Sequence, residues 1–177
     1  SSRAVGAALN IRGFYDERVE SDFLGEYFER SGFWNFGYRI SGMESPREAC
    51  EQLLEKLLGL IPEKKGRLLD IACGEGYNTR IMARKGAIVT GIDSSKRLLE
   101  LAKTEERREQ LGIEYYLMNA NSLKRFNNFS FDLVTCFMAL HDIEDYDGAV
   151  GEVSRVLKKG GHFVFSIPHP CFEKIVI

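Results

Sequence analysis

The chain has 177 residues, 44% of them hydrophobic and 28% charged, which is enough for one domain with a real core and too apolar for a disordered segment. Twenty-six acids against 24 lysines and arginines give a formal net charge of -2, so no cationic excess is available to hold a phosphate backbone and no nucleic-acid partner is expected. The four cysteines (Cys50, Cys73, Cys136, Cys171) show neither CxxC nor zinc-ligand spacing, and no apolar run approaches the ~20 residues of a membrane span, so the expectation is a reduced, cytoplasmic protein without a metal site.

The N-terminus, SSRAVGAALNIRGFYDER, lacks the apolar core and cleavage pattern of a signal peptide. Phe23, Tyr27 and Phe28 stand at helical spacing and are followed by the aromatic stretch FWNFGY. Ser45-Pro46-Arg47-Glu48 then supplies an N-cap, a proline at the first helical position and a capping-box glutamate. The apolar stripe Ala49, Leu53, Leu54, Leu57, Leu58 predicts a helix to about Gly59. Residues 1–62 therefore read as a helical and aromatic cap and residues 63–177 as the main domain, the two forming one compact unit.

From Arg67 the rhythm changes. RLLDIA, AIVTGI, IEYYLM, FDLVTCF and HFVFSI predict strands, and YNTRIMARK, SSKRLLELAKTEERREQL and YDGAVGEVSRVLKK predict the helices between them. Strand and helix in alternation imply parallel strands joined by right-handed crossovers, hence an open, doubly wound, mostly parallel α/β sheet with helices on both faces. The strands are continuous apolar runs, as strands covered on both faces should be.

In such a sheet ligands bind beyond the carboxyl ends of the strands. Asp70-Ile-Ala-Cys-Gly74-Glu-Gly76-Tyr-Asn-Thr79 occupies that place after the first strand. Gly74 and Gly76 permit a tight turn and a close approach to the backbone, or simply turn a strand into a helix. Asp93 ends the next strand, where an acid accepts hydrogen bonds from two ribose hydroxyls, although it also stands where a helix N-cap would. A dinucleotide site would want a third glycine where Thr79 stands, and Glu75 would set a carboxylate beside a pyrophosphate. A ligand with adenosine, no phosphate and a cationic centre tolerates those acids, and S-adenosylmethionine is such a ligand.

With these motifs the sequence resembles the class I S-adenosylmethionine-dependent methyltransferases, in particular the small-molecule type related to quinone and sterol methyltransferases, over most of residues 34–170. LLDIACGEG is similar to the family's first motif, with Ala72 in place of its first glycine, an exchange that a backbone with φ < 0 accepts. The resemblance implies a Rossmann-like fold in which Asp70, Ala72, Cys73, Gly74 and Gly76 surround the cofactor, Asp93 accepts from the ribose and Ser94 lies beside the adenine. LMNANSL resembles the segment that meets the adenine edge, here through Asn119 and Ala120, and FDLVTCFMALHDI the one that faces the methyl group, with Cys136, Phe137, Met138 and His141 at the mouth. EVSRVLKKGGHFVFSIPHP is similar to the family's next helix, Gly-Gly turn and fifth strand. FWNFGY resembles its aromatic cap, which gives Tyr38 to the cofactor or merely packs the cap on the sheet.

The implied reaction moves a methyl group from S-adenosyl-L-methionine to a small-molecule acceptor, leaving S-adenosyl-L-homocysteine, and needs a base only if the acceptor must lose a proton. His141 and His169, just past the fourth and fifth strands, are the candidate bases or substrate contacts; each is equally readable as a packing or loop residue. The family's sheet usually continues beyond its fifth strand, so the expectation here is a sheet lacking its last strands, with an exposed edge open to pairing as a homodimer. Two rivals stand beside this reading: a non-catalytic cofactor-binding or dimerisation module, and a nicotinamide-dependent oxidoreductase.

Overall fold

The structure is a computed structural model and describes residues 45–59 and 66–167. Helix α1, Pro46–Gly59, opens on the reciprocal cap that its sequence announces. The Ser45 hydroxyl accepts from the Glu48 N–H at 3.3 Å while the Glu48 carboxylate accepts from the Ser45 N–H at 2.9 Å. Strand β1 (Arg67–Ile71), helix α2 (Tyr77–Arg84), strand β2 (Ile88–Asp93), helix α3 (Lys96–Glu109) and strand β3 (Glu114–Leu117) follow. After a long loop come strand β4 (Phe131–Phe137), a 3-10 turn at Leu140–Asp142, helix α4 (Tyr146–Val156) and strand β5 (Leu157–Ser166).

The five strands form one sheet in the order β3-β2-β1-β4-β5, every neighbouring pair parallel. The chain winds outward from β1 to β3, then returns to place β4 on the other side of β1. The sheet's order thus reverses between β1 and β4, the position at which a crevice opens beyond the strand ends. Side chains alternate across the strands and feed two cores. Leu68 and Val89 join Leu54 and Leu58 of α1, Met82 of α2 and Leu99 and Ala102 of α3 on one face. Leu69, Ile71, Ile92, Val134 and Cys136 join Val153 and Val156 of α4 on the other. The expected doubly wound α/β sheet is thereby present.

One boundary differs from the sequence reading. Lys158 and Lys159 were expected to end α4, but the helix stops at Val156 and β5 begins at once with Leu157 opposite Phe131. The ladder resumes only at Leu133 opposite His162, so Lys158–Gly161 loops out of register. Gly160 takes φ +78°, and a Cβ on Gly161 would lie 3.0 Å from the carbonyl oxygens of Asp132 and Lys158. The Gly-Gly pair makes this bulge possible, and Lys158 closes it by an ion pair with Asp132 at 2.7 Å.

Gly91, in the middle of β2, has a steric reason. The ring of Tyr115 on β3 lies over it, so a Cβ there would sit 2.8 Å from two ring carbons and 3.0 Å from the Cys73 sulfur. Gly91→Ala should therefore lower the unfolding free energy by about 1–3 kcal/mol in urea titrations. The loss should shrink in a Tyr115→Leu background; an undiminished loss there would mean that the ring is not the obstacle.

Candidate functional site

The site is built at the carboxyl ends of β1, β2, β3 and β4. After Ile71 the chain leaves β1 through Ala72 with φ 54°, in the left-handed region. This corrects the sequence reading, which placed Ala72 at negative φ. The turn that carries the chain from the sheet toward α2 demands the conformation glycine adopts freely, and alanine holds it at a cost of roughly 1–2 kcal/mol. Met138, leaving β4, has the same φ of 54°, so both strands that flank the reversal end in a non-glycine left-handed residue. Gly74 (φ +58°) and Gly76 (φ +81°) complete the loop. A Cβ on Gly76 would stand 2.4 Å from the Tyr115 hydroxyl, so the glycine lets the loop descend onto β3.

Asp93, 8% exposed at the end of β2, ties this loop down. One carboxylate oxygen accepts from the Gly74 N–H at 2.8 Å and the other from the Ser95 N–H at 2.7 Å. The N-cap role considered for Asp93 belongs to Ser95, whose hydroxyl accepts from the Leu98 N–H at 3.2 Å. Asp70 is buried behind the loop, 2% exposed, and accepts from the hydroxyls of Thr79 on α2 and Thr135 on β4, both at 2.6 Å. Burial pushes its carboxyl from 3.8 up to about 6; the two threonine hydroxyls work against that rise and the Asp93 charge adds to it.

Glu75 is not a bare charge facing a ligand. Arg80, one turn into α2, donates to the Glu75 carbonyl at 2.7 Å and to its carboxylate at 3.1 Å, and lies 3.4 Å from Glu109 of α3. Burial still raises the Glu75 carboxyl above its ordinary value, with Arg80 opposing. Thr79 likewise stands where a third glycine would because its hydroxyl serves Asp70.

Beyond the loop lies a cavity of about 570 Å³ lined by Ala72, Asp93, Ser94, Asn119, Ala120 and the 142–145 turn, with Ile71, Ile92, Met118 and Asn121. Five of the sequence-predicted residues, Ala72, Asp93, Ser94, Asn119 and Ala120, thus meet around one space of ligand size. Cys73, Gly74 and Gly76 shape the loop, and Asp70 braces it from behind. Cys136 is fully buried in the core and its thiol is pushed up to about 12 by that burial; Phe137 packs against the opposite core cluster. His141 lies on the turn after β4, with its Nε2 3.6 Å from the Asp142 carboxylate. Tyr38 and His169 lie outside the described residues. Arg80, Thr135 and the acids Asp142, Glu144 and Asp145 were not singled out from sequence, although the last three follow a strand at its ligand-binding end, a signal that would have found them; Thr79 was read there only as the residue in place of a third glycine.

A second groove, about 1050 Å³, runs between α1 and α2 past Glu51, Tyr77 and Arg84 and shares no lining residue with this cavity. Among the described residues no group of His, Cys, Asp or Glu is placed to hold a metal ion, and no helix is long and apolar enough to cross a membrane.

The Asp70 carboxyl binds a proton more tightly folded than unfolded. Between about pH 4 and 6 the native state therefore holds the extra proton, and stability falls as pH rises through that window. Relative to Asp70→Asn, the wild-type unfolding free energy should drop by up to about 3 kcal/mol from pH 4 to 7. Urea titrations of both proteins across that range test this, and a pH-independent difference would contradict it.

A family model described as a methyltransferase domain matches residues 69–165. Over 100 residues, 56% of this chain and 40% of the relative, the sequence is 38% identical to the ubiquinone biosynthesis O-methyltransferase of Alkalilimnicola ehrlichii. It is 26% identical to a protein of the same name from Coxiella burnetii over 152 residues, 85% of this chain and 63% of that one. The chain therefore spans about half the length of these curated relatives. Among solved structures, the [4+2]-cyclase SpnF superposes with a TM-score of 0.79 at 26% identity, over 88% of this chain and 58% of that one. An S-adenosylmethionine-dependent methyltransferase from Mesorhizobium loti gives 0.60 at 34% identity, over 67% and 53%.

Proposed function

Because the chain belongs to the methyltransferase domain family, we propose that it binds S-adenosyl-L-methionine in the cavity beyond β1, β2, β3 and β4 and serves methyl transfer to a small-molecule acceptor. The observation that carries this reading is the convergence of Ala72, Asp93, Ser94, Asn119 and Ala120 on one cavity of about 570 Å³. A carboxylate offers about four acceptor positions, so Asp93 can receive two ribose hydroxyls while it holds the Gly74 and Ser95 N–H groups. The Asn119 amide oxygen would accept from the adenine amino group, doing without charge what an acid does at that place. When bound, the cofactor supplies a methyl group made electrophilic by the adjacent sulfonium.

The chain's own residues then have little bond chemistry to perform. They hold the acceptor in line with the methyl and exclude water, an effect of orientation that supplies up to ~10 kcal/mol. His141, whose Nε2 lies beside the Asp142 carboxylate, is the residue we assign to take the proton of a hydroxyl acceptor, Nδ1, the nitrogen not beside that carboxylate, being its basic atom. The names of the two ubiquinone-pathway relatives support an oxygen nucleophile on a small ring compound as the acceptor class. The likeness to a [4+2]-cyclase sustains a second reading, in which the same fold binds its ligand and promotes a reaction other than methyl transfer.

Isothermal titration should show binding of both S-adenosylmethionine and its demethylated product. Asp93→Ala should weaken both by at least tenfold, about 1.4 kcal/mol. Transfer of a radiolabelled methyl to catechol-type acceptors separates the two readings: His141→Gln should lower kcat without changing cofactor affinity. Cofactor binding with no labelled product from any acceptor would favour the second reading, and no binding at all would remove both.

A further inference from the structure

The loop from Met118 to Ser130 starts as a wall of the cavity and ends as the entry to β4, and α4 grips it along its length. At the N-terminus of α4 the Asp145 carboxylate, which caps the helix by accepting from the Gly148 N–H at 3.0 Å, accepts from the Asn121 side-chain amide at 3.1 Å. Two turns on, Glu152 and Arg155 form a forked ion pair, with Nε to Oε1 at 2.7 Å and Nη2 to Oε2 at 2.9 Å. Both halves of this pair then reach the loop. Glu152 accepts from the Leu123 N–H at 2.6 Å, while Arg155 donates to the carbonyls of Leu123 and Phe126 and to the Asn128 side chain, each at 2.9 Å.

The backbone completes the seam. The Arg155 carbonyl accepts from the Phe129 N–H at 3.0 Å and the Val156 carbonyl from the Ser130 N–H at 2.8 Å. Leu123 itself is fully buried, and Met118 and Ala120 pack against the same core cluster. A stretch of 13 residues without strand or helix of its own, 118–130, is thus fixed from one helix face, and its cavity end can occupy one position only while the other end is held. We infer that Glu152 and Arg155, though neither lines the cavity, are positioning residues for the adenine-facing segment Met118–Asn121. This rests on the cofactor reading above.

The arrangement distinguishes arginine from lysine. A guanidinium can fork to Glu152 while bridging two carbonyls; a lysine offers one point and must release most of these partners. Arg155→Met should weaken binding of the demethylated cofactor by about tenfold or more, Arg155→Lys should recover only part of it, and Glu152→Gln should fall between. Leu58→Ala, which opens the opposite core, serves as a control of comparable thermal destabilisation. It should leave affinity within about twofold of wild type. Amide hydrogen exchange supplies a readout that needs no ligand: residues 118–123 should exchange faster in Arg155→Met and not in Leu58→Ala. Unchanged exchange at 118–123 in Arg155→Met, or affinities that follow thermal stability alone across all four variants, would overturn the inference. Faster exchange in a protein whose wild type binds no cofactor would count against the cofactor reading and leave the loop-holding role standing.

Discussion

Two stretches of backbone that no β-ladder joins are held together by Asp93. The glycine loop after β1 and the turn before α3 each present an N–H to one carboxylate at the end of the strand between them. Backbone donors near a helix start need an acceptor, and an ionised carboxylate is a stronger one than a carbonyl. Once Gly74 is pulled toward β2, the path of the loop is set, and with it the descent of Gly76 onto Tyr115 and the entry of α2. The same carboxylate lines the cavity, so the group that shapes the loop is also the one to which the proposed function gives the ribose.

Behind it, charge is managed by pairing rather than by exclusion. Asp70 sits in the core with two threonine hydroxyls as donors, and Glu75 has Arg80 as counter-ion, with Glu109 of α3 on that guanidinium's far side. Arg80 offsets the Glu75 charge, whereas the neutral threonine hydroxyls solvate Asp70 without cancelling its charge, and burial together with the Asp70, Asp93 and Glu75 charges pushes the Cys73 thiol well up. Such groups cost stability when buried, and their retention at the ligand end of the sheet fits a site where backbone placement matters more than folding free energy.

The strands were legible because a parallel sheet covered on both faces demands unbroken apolar runs, and RLLDIA, AIVTGI and FDLVTCF are such runs. The cavity's residues on the first three strands were legible for a related reason: ligand groups lie at strand ends, whose positions follow from those runs. Three features were not. The early start of β5 is masked by Lys-Lys-Gly-Gly, which reads as a helix end but forms a bulge. The left-handed Ala72 contradicts its own residue type, and only the course of the chain around it enforces that φ. The partners of Asp70 and Arg155 come from side chains far apart in sequence or at spacings that no helix or strand period selects.

The Thr135 hydroxyl that reaches Asp70 lies 65 positions away in the chain. Contacts of that range close late, because the loop entropy must be met before the contact forms. During synthesis, β1, the glycine loop, α2 and β2 can assemble from local contacts well before Thr135 leaves the ribosome. Until β4 slides in beside β1, however, one oxygen of a carboxylate at the heart of the site lacks its donor. The first half of the sheet is therefore a scaffold in waiting, and its ligand end is finished by the arrival of the strand on the far side of the reversal.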